Sequence, residues 1–143
     1  MLTDGLLTMR QVEKICEQYY DEATYDHAQR VADHVLESGL VPITMWEDCI
    51  KLALMHDLVE DTDYKGEDLP PRFKEALMLL TKPKGMKYVD YCKQLKPYRG
   101  YATAVQLAAY YVKLADMKDH LAQKETLTDR LKQKYLEGLA ELL

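Results

Sequence analysis

The chain has 143 residues, 30% of them charged and 48% hydrophobic, with a formal net charge of −5. This is an ordinary soluble composition, long enough for one domain with a real core. An acidic balance excludes a broad electrostatic hold on nucleic acid polymers, so a polyanionic small molecule would need locally placed cations or a metal. The first ten residues, MLTDGLLTMR, have no basic stretch ahead of an apolar run, and no segment approaches membrane-spanning length. No signal sequence and no membrane partner are therefore expected. Cys16, Cys49 and Cys92 are widely spaced and odd in number. That pattern suits reduced thiols in the cytoplasm, and without a C-x-x-C pair a thiolate zinc site is not expected.

Helical spacing runs through nearly every segment and no period-two strand is evident, which predicts an all-α, single-domain helical bundle. A first helix is expected over about Met9–Tyr20 and a second from near Thr24, stopped by Gly39 and Pro42. Thr44 and Glu47 have the spacing of a capping box, predicting a third helix that runs through ALMHDLVEDTDY (residues 53–64) to about Thr62–Gly66. Pro70-Pro71 can open a short helix with Phe73, Leu77 and Leu80, and Lys82–Lys87 reads as a loop. A helix over Tyr88–Leu95, a long one over Ala102–Ala122 and a last one capped by Thr126 or Thr128 complete the prediction.

The third helix carries the chemistry. His56 follows Cys49 by seven and Asp57 follows Ile50 by seven, so both polar residues fall on apolar stripes, where an ionisable group is costly unless paired or metal-bound. One turn later stand Glu60 and Asp61, on the stripes of His56 and Asp57. His27 shares an apolar stripe with Tyr20 and Val31, and Asp116 lies on the stripe of Ala109 and Val112. Singly, each has a plain alternative: His27 a hydrogen-bonded core histidine, Asp116 a carboxylate paired with Lys113 or Lys118, Glu60 and Asp61 solvated acids near a helix end. Together, His27, His56, Asp57 and Asp116 make a mixed imidazole and carboxylate set that suits Mn²⁺, Fe²⁺, Ni²⁺ or Zn²⁺ better than Ca²⁺. His34 lies two turns from His27, roughly 10 Å by helical rise and too far to share its ion, so one metal is expected.

These residues resemble the HD superfamily of metal-dependent phosphohydrolases, with His27, then His56-Asp57, then Asp116 in the same order. LMHDLVEDTD (54–63) is similar to the HD-x-x-ED segment of RelA/SpoT-type guanosine tetraphosphate hydrolases and small alarmone hydrolases. VKLADMKDH (112–120) is similar to their K-L-A-D segment, and LTKPKGMKYVDYCKQL (80–95) to the middle of the small stand-alone relatives. The resemblance implies a helical HD-type fold and one ion, usually Mn²⁺, held by His27, His56, Asp57 and Asp116. Glu60 and Asp61 would position or activate the attacking water, and the 3′-pyrophosphate of a guanosine nucleotide would be removed. Other chemistries on this scaffold are a 5′-nucleotidase or phosphodiesterase, or a silent nucleotide-binding module. The chain departs from the family at His120, where Asn is common, at Met117, where the long enzymes have Arg, and at Asp21, Glu22 and Asp26, where basic residues precede the first His. These changes touch substrate contacts more than the metal shell. The remaining candidates for substrate contact are Lys82 and Lys87 of the lysine-rich loop, Tyr88 for a hydrogen bond or base stacking, Lys118 half a turn from Asp116, and His120 itself.

Overall fold

A computed structural model describes Leu2, residues 7–100 and residues 102–143. The expectation drawn from the first ten residues falls largely on Met1 and residues 3–6, outside those described. Helix α1 (Met9–Tyr19) starts at Thr8, whose hydroxyl accepts the Gln11 N–H while the Gln11 side chain accepts the Thr8 N–H. Helix α2 (Glu22–Glu37) begins earlier than predicted, because the Asp21 carboxylate caps it by accepting the Thr24 N–H at 2.7 Å. Asp21 and Glu22, conspicuous as acids ahead of His27, thus serve the positive end of a helix dipole.

The Thr44–Glu47 capping box does not form. Residues Ile43–Met45 make a 3-10 turn, helix α3 (Trp46–Met55) follows without a side-chain cap, and Glu47 pairs instead with Lys51 at 2.9 Å. The single third helix is also corrected: it breaks after Met55 and resumes as the short α4 (Leu58–Asp61). Helices α5 (Pro71–Leu79) and α6 (Tyr88–Leu95) lie where the sequence puts them. Helix α7 (Ala104–Ala122) starts at a Thr103–Gln106 capping box, and Thr128, not Thr126, caps α8 (Asp129–Leu142). No strand occurs among the described residues, and none of their helices is long and apolar enough to cross a membrane. The three cysteines are free and buried, and burial pushes the thiols of Cys16 and Cys49 up to about 12, well away from thiolate chemistry.

Two apolar clusters share α7. Its small residues Ala108, Ala109 and Ala115 pack into the main core with α1, α2, α3 and α5, while Tyr110, Leu114 and Met117 face a second cluster built with α6 and α8. Every residue from Val112 to Met117 is consequently buried, including Lys113 and Asp116. A helix enclosed on all sides loses its amphipathic stripe, and charges retained there must be matched inside the protein.

Helix α8 comes close enough to do this only because residue 138 is glycine. A Cβ on Gly138 would stand 2.7 Å from Tyr88 Cε2, 2.8 Å from Met117 Cε and 3.0 Å from Cys92 Sγ. Alanine gains about 1 kcal/mol of helix propensity over glycine. Forcing a methyl group against a ring edge and a buried sulfur costs about 1–3 kcal/mol. Gly138→Ala is therefore expected to destabilise the protein by about 1 kcal/mol net in denaturant unfolding; a more stable variant would mean that α8 is loosely seated.

Candidate metal centre

The break between α3 and α4 is built by the site residues themselves. His56 turns its Nδ1–H onto the Ala53 carbonyl at 2.6 Å, and its backbone N–H reaches the same oxygen at 3.4 Å. The Asp57 N–H leaves the helical ladder to donate to the Tyr20 hydroxyl at 3.2 Å. With these donors diverted the helix cannot continue, and His56 and Asp57 project into the interior. The Asp57 carbonyl still accepts the Asp61 N–H at 2.9 Å, so the one-turn relation of Asp57 to Asp61 survives the interruption.

All four predicted ligands converge. His27 Nε2 lies 2.9 Å from Asp116 Oδ1 and 3.6 Å from Asp57 Oδ2; His56 Nε2 lies 3.1 Å and 3.2 Å from the same two oxygens. These are the four edges of a closed ring. Two ligand atoms about 2.1 Å from one ion, at angles between octahedral and tetrahedral, stand roughly 3.0–3.4 Å apart, and the four edges scatter about that range.

The proton inventory points the same way. The Ala53 carbonyl can only accept, so His56 carries its hydrogen on Nδ1. His27 Nδ1 lies 2.7 Å from Asp119 Oδ2, and Asp119 is held ionised: burial pushes its carboxyl up, but hydrogen bonds from Arg30 and His27 outweigh this and lower it. Both Nε2 atoms then face only carboxylate oxygens, and two lone-pair donors cannot meet without a cation between them. A proton on each ring or one divalent ion supplies it. The electrostatics of the two rings run the same way. Burial works against charge on His27 and His56, yet Asp116 for the first, and Asp57 with Asp116 for the second, raise both above the ordinary imidazole range. Asp57 and Asp116 are lowered in spite of burial, the first by His56 and the second chiefly by Lys113 and His56. The set of donors therefore fits a divalent ion.

Asp119 escaped the sequence reading. It is fully buried and collects His27 Nδ1, Arg30 Nε at 3.0 Å and His34 Nε2 at 3.2 Å. Its signal was its spacing, seven residues after the buried Val112 and three after Asp116. On α2 the same pattern puts Arg30 and His34 three and seven residues after His27. His34, two turns from His27, is thus a partner of Asp119.

The ring opens onto a cleft of about 220 Å³ lined by Asp57, Glu60, Asp61, Lys82, Tyr88, Lys113, Asp116, His120, Lys134 and Tyr135. Of the residues predicted for substrate, Lys82, Tyr88 and His120 line it; Lys87 and Lys118 are exposed and do not. Lys87 precedes α6, and Lys118 points outward from α7 because the face bearing Asp116 is the buried one. Glu60 accepts the backbone N–H of Lys82, and the Lys82 ammonium folds back onto the carbonyls of Pro83 and Met86, so this pair ties α4 to the 82–87 loop. Asp61 has no such duty. Burial, Asp57 and Glu60 all raise its carboxyl. Lys113 holds Asp116 Oδ2 at 3.1 Å and lies over the rings of Tyr88 and Tyr91. The Tyr88 hydroxyl is buried with no hydrogen-bond partner among the described residues. Lys134 and Tyr135, which no sequence motif marked, complete the wall from α8.

No protein-family model, curated protein or solved structure matches the chain.

Replacing Asp119 by Asn keeps the shape and removes the charge that selects the His27 tautomer. Long-range ¹H–¹⁵N spectra, at a pH where the ring is neutral, are expected to change from the Nδ1–H form to a tautomer mixture, with divalent-ion affinity falling about 10- to 100-fold. An unchanged spectrum would remove this role from Asp119.

Proposed function

We propose that the protein is an HD-type, metal-dependent phosphohydrolase acting on a nucleotide, with the 3′-pyrophosphate of guanosine tetra- or pentaphosphate as the sharpest form of its substrate. The observation that carries this reading is the four-atom ring of His27, His56, Asp57 and Asp116 at the floor of a cleft with ammonium groups in its wall. The HD-x-x-ED and K-L-A-D segments support it, and by that resemblance the ion is Mn²⁺.

A divalent ion bound there would polarise a phosphoryl oxygen and lower the pKa of a water. The rest falls to the chain. Lys82, Lys113 and Lys134 line the cleft and offset the charge of a phosphate that the acidic protein as a whole would repel. Asp61 takes the proton of the attacking water. Its raised carboxyl gives it more proton affinity than an ordinary aspartate, which a general base working near neutral pH needs. Glu60 acts at one remove by fixing the loop that presents Lys82. The unpartnered Tyr88 hydroxyl is available to donate to a substrate oxygen. A silent binding module would have no use for Asp61, whose carboxylate costs free energy in this acidic corner.

The test is a product assay on Mn²⁺-loaded protein with a nucleotide panel that includes guanosine tetraphosphate, with Asp57→Ala as control. GDP and pyrophosphate, absent in the control, are the expected products. Orthophosphate or a cleaved diester from other nucleotides would move the assignment to a nucleotidase or phosphodiesterase, and silence with metal bound would favour the binding module. Asp61→Asn is expected to lower kcat by about 10²- to 10⁴-fold with little change in ion affinity. Glu60→Gln, which keeps an acceptor for Lys82, is expected to cost far less; equal losses would make both carboxylates direct participants.

A further inference from the structure

His120 lines the cleft and also touches the ring. It lies one helical turn beyond Asp116, and its Nε2 points back to Asp116 Oδ1 at 3.2 Å, next to His56 at 3.1 Å and His27 at 2.9 Å. Three imidazole nitrogens thus converge on one carboxylate oxygen. The ligand atoms of His27, Asp116 and His120 form a close group of their own, sharing His27 and its single inward nitrogen with the group of His27, His56 and Asp57. His27 Nδ1 is already given to Asp119, so its ring cannot bridge two ions, and Asp116 Oδ1, which His27, His56 and His120 all approach, links the two groups. The His120 ring is also held in plane: it stacks on Tyr135 with centroids 4.5 Å apart and 4° between planes, and the His27 ring lies 4.5 Å away on a tilt of 34°.

We infer that His120 is a further ligand of the metal centre, which makes the shell three imidazoles and two carboxylates, with Tyr135 as the residue that positions the third ring. His120 can act so only if the centre holds an ion, a premise shared with the phosphohydrolase reading. An additional imidazole shifts preference along the divalent series, away from Mn²⁺ and toward Fe²⁺, Ni²⁺ and Zn²⁺, because nitrogen donors favour the later ions more than oxygen donors do.

The experiment is a competition titration of wild type and His120→Asn with Zn²⁺ and with Mn²⁺, each against a chelator. Pulsed EPR of the Cu²⁺-loaded proteins would count nitrogen-coupled imidazoles, and circular dichroism would verify the fold. Asparagine retains an oxygen that a harder ion accepts. A ligand role predicts that Zn²⁺ affinity falls about 100-fold and Mn²⁺ affinity about tenfold or less, with three coupled rings in wild type and two in the variant. A residue that merely braced Asp116 would weaken both ions alike and leave the imidazole count unchanged, and that result would overturn the assignment while leaving the phosphohydrolase reading intact. A folded wild type that binds neither ion would overturn both. Tyr135→Leu supplies a second measurement: loss of the stack is expected to lower the Zn²⁺-to-Mn²⁺ preference severalfold without abolishing binding, and an unchanged preference would separate Tyr135 from the centre.

Discussion

Everything at the centre depends on one buried carboxylate. Asp116 is 4% exposed, and its two oxygens face Lys113 and three imidazoles. Taking such a charge out of water costs several kcal/mol per ion even after relaxation, and pairing it inside a protein returns that cost only when the geometry is good. Apolar residues of similar volume would serve stability as well or better. The cluster is therefore a requirement imposed on the fold, and the packing of α7 between two apolar clusters is what sustains it. Small alanines on one side of α7 and bulky residues on the other let it be enclosed while its C-terminal half carries charge.

The helices were readable from the sequence wherever apolar spacing repeats over several turns, as in α1, α2, α6 and α7. Their ends were less so. Thr44 and Glu47 have the residues of a capping box but not the backbone, since the chain leaving Pro42 turns into a 3-10 helix before α3 begins. The boxes that do form, at Thr8 and Thr103, use glutamine in place of glutamate. The interruption at His56 could not be read from periodicity at all, because its cause is a side chain competing with the backbone for the Ala53 carbonyl.

The four ring residues were visible for a simple reason: each is an ionisable group on an apolar stripe. Asp119 obeys the same rule, three residues after its more conspicuous neighbour Asp116. Lysines fared worse, because a long flexible side chain tells little about where its charge ends. Lys87 and Lys118 look close to the site in sequence and point away from it, while Lys134 approaches from a helix with no motif. That reach follows from tertiary packing, above all from the missing side chain at Gly138.

The ring and part of the cleft wall stand on different parts of the chain. His27 comes from α2, His56 and Asp57 from the α3–α4 junction and Asp116 from α7, whereas Tyr88, Lys134 and Tyr135 come from α6 and α8. The His120–Tyr135 stack and Lys113, which holds Asp116 and lies over the Tyr88 ring, join the two. Substitutions in α6 and α8 can accordingly reshape the cleft while leaving the ring residues in place. Under the phosphohydrolase reading, a lineage built on this plan would diversify in substrate far faster than in mechanism.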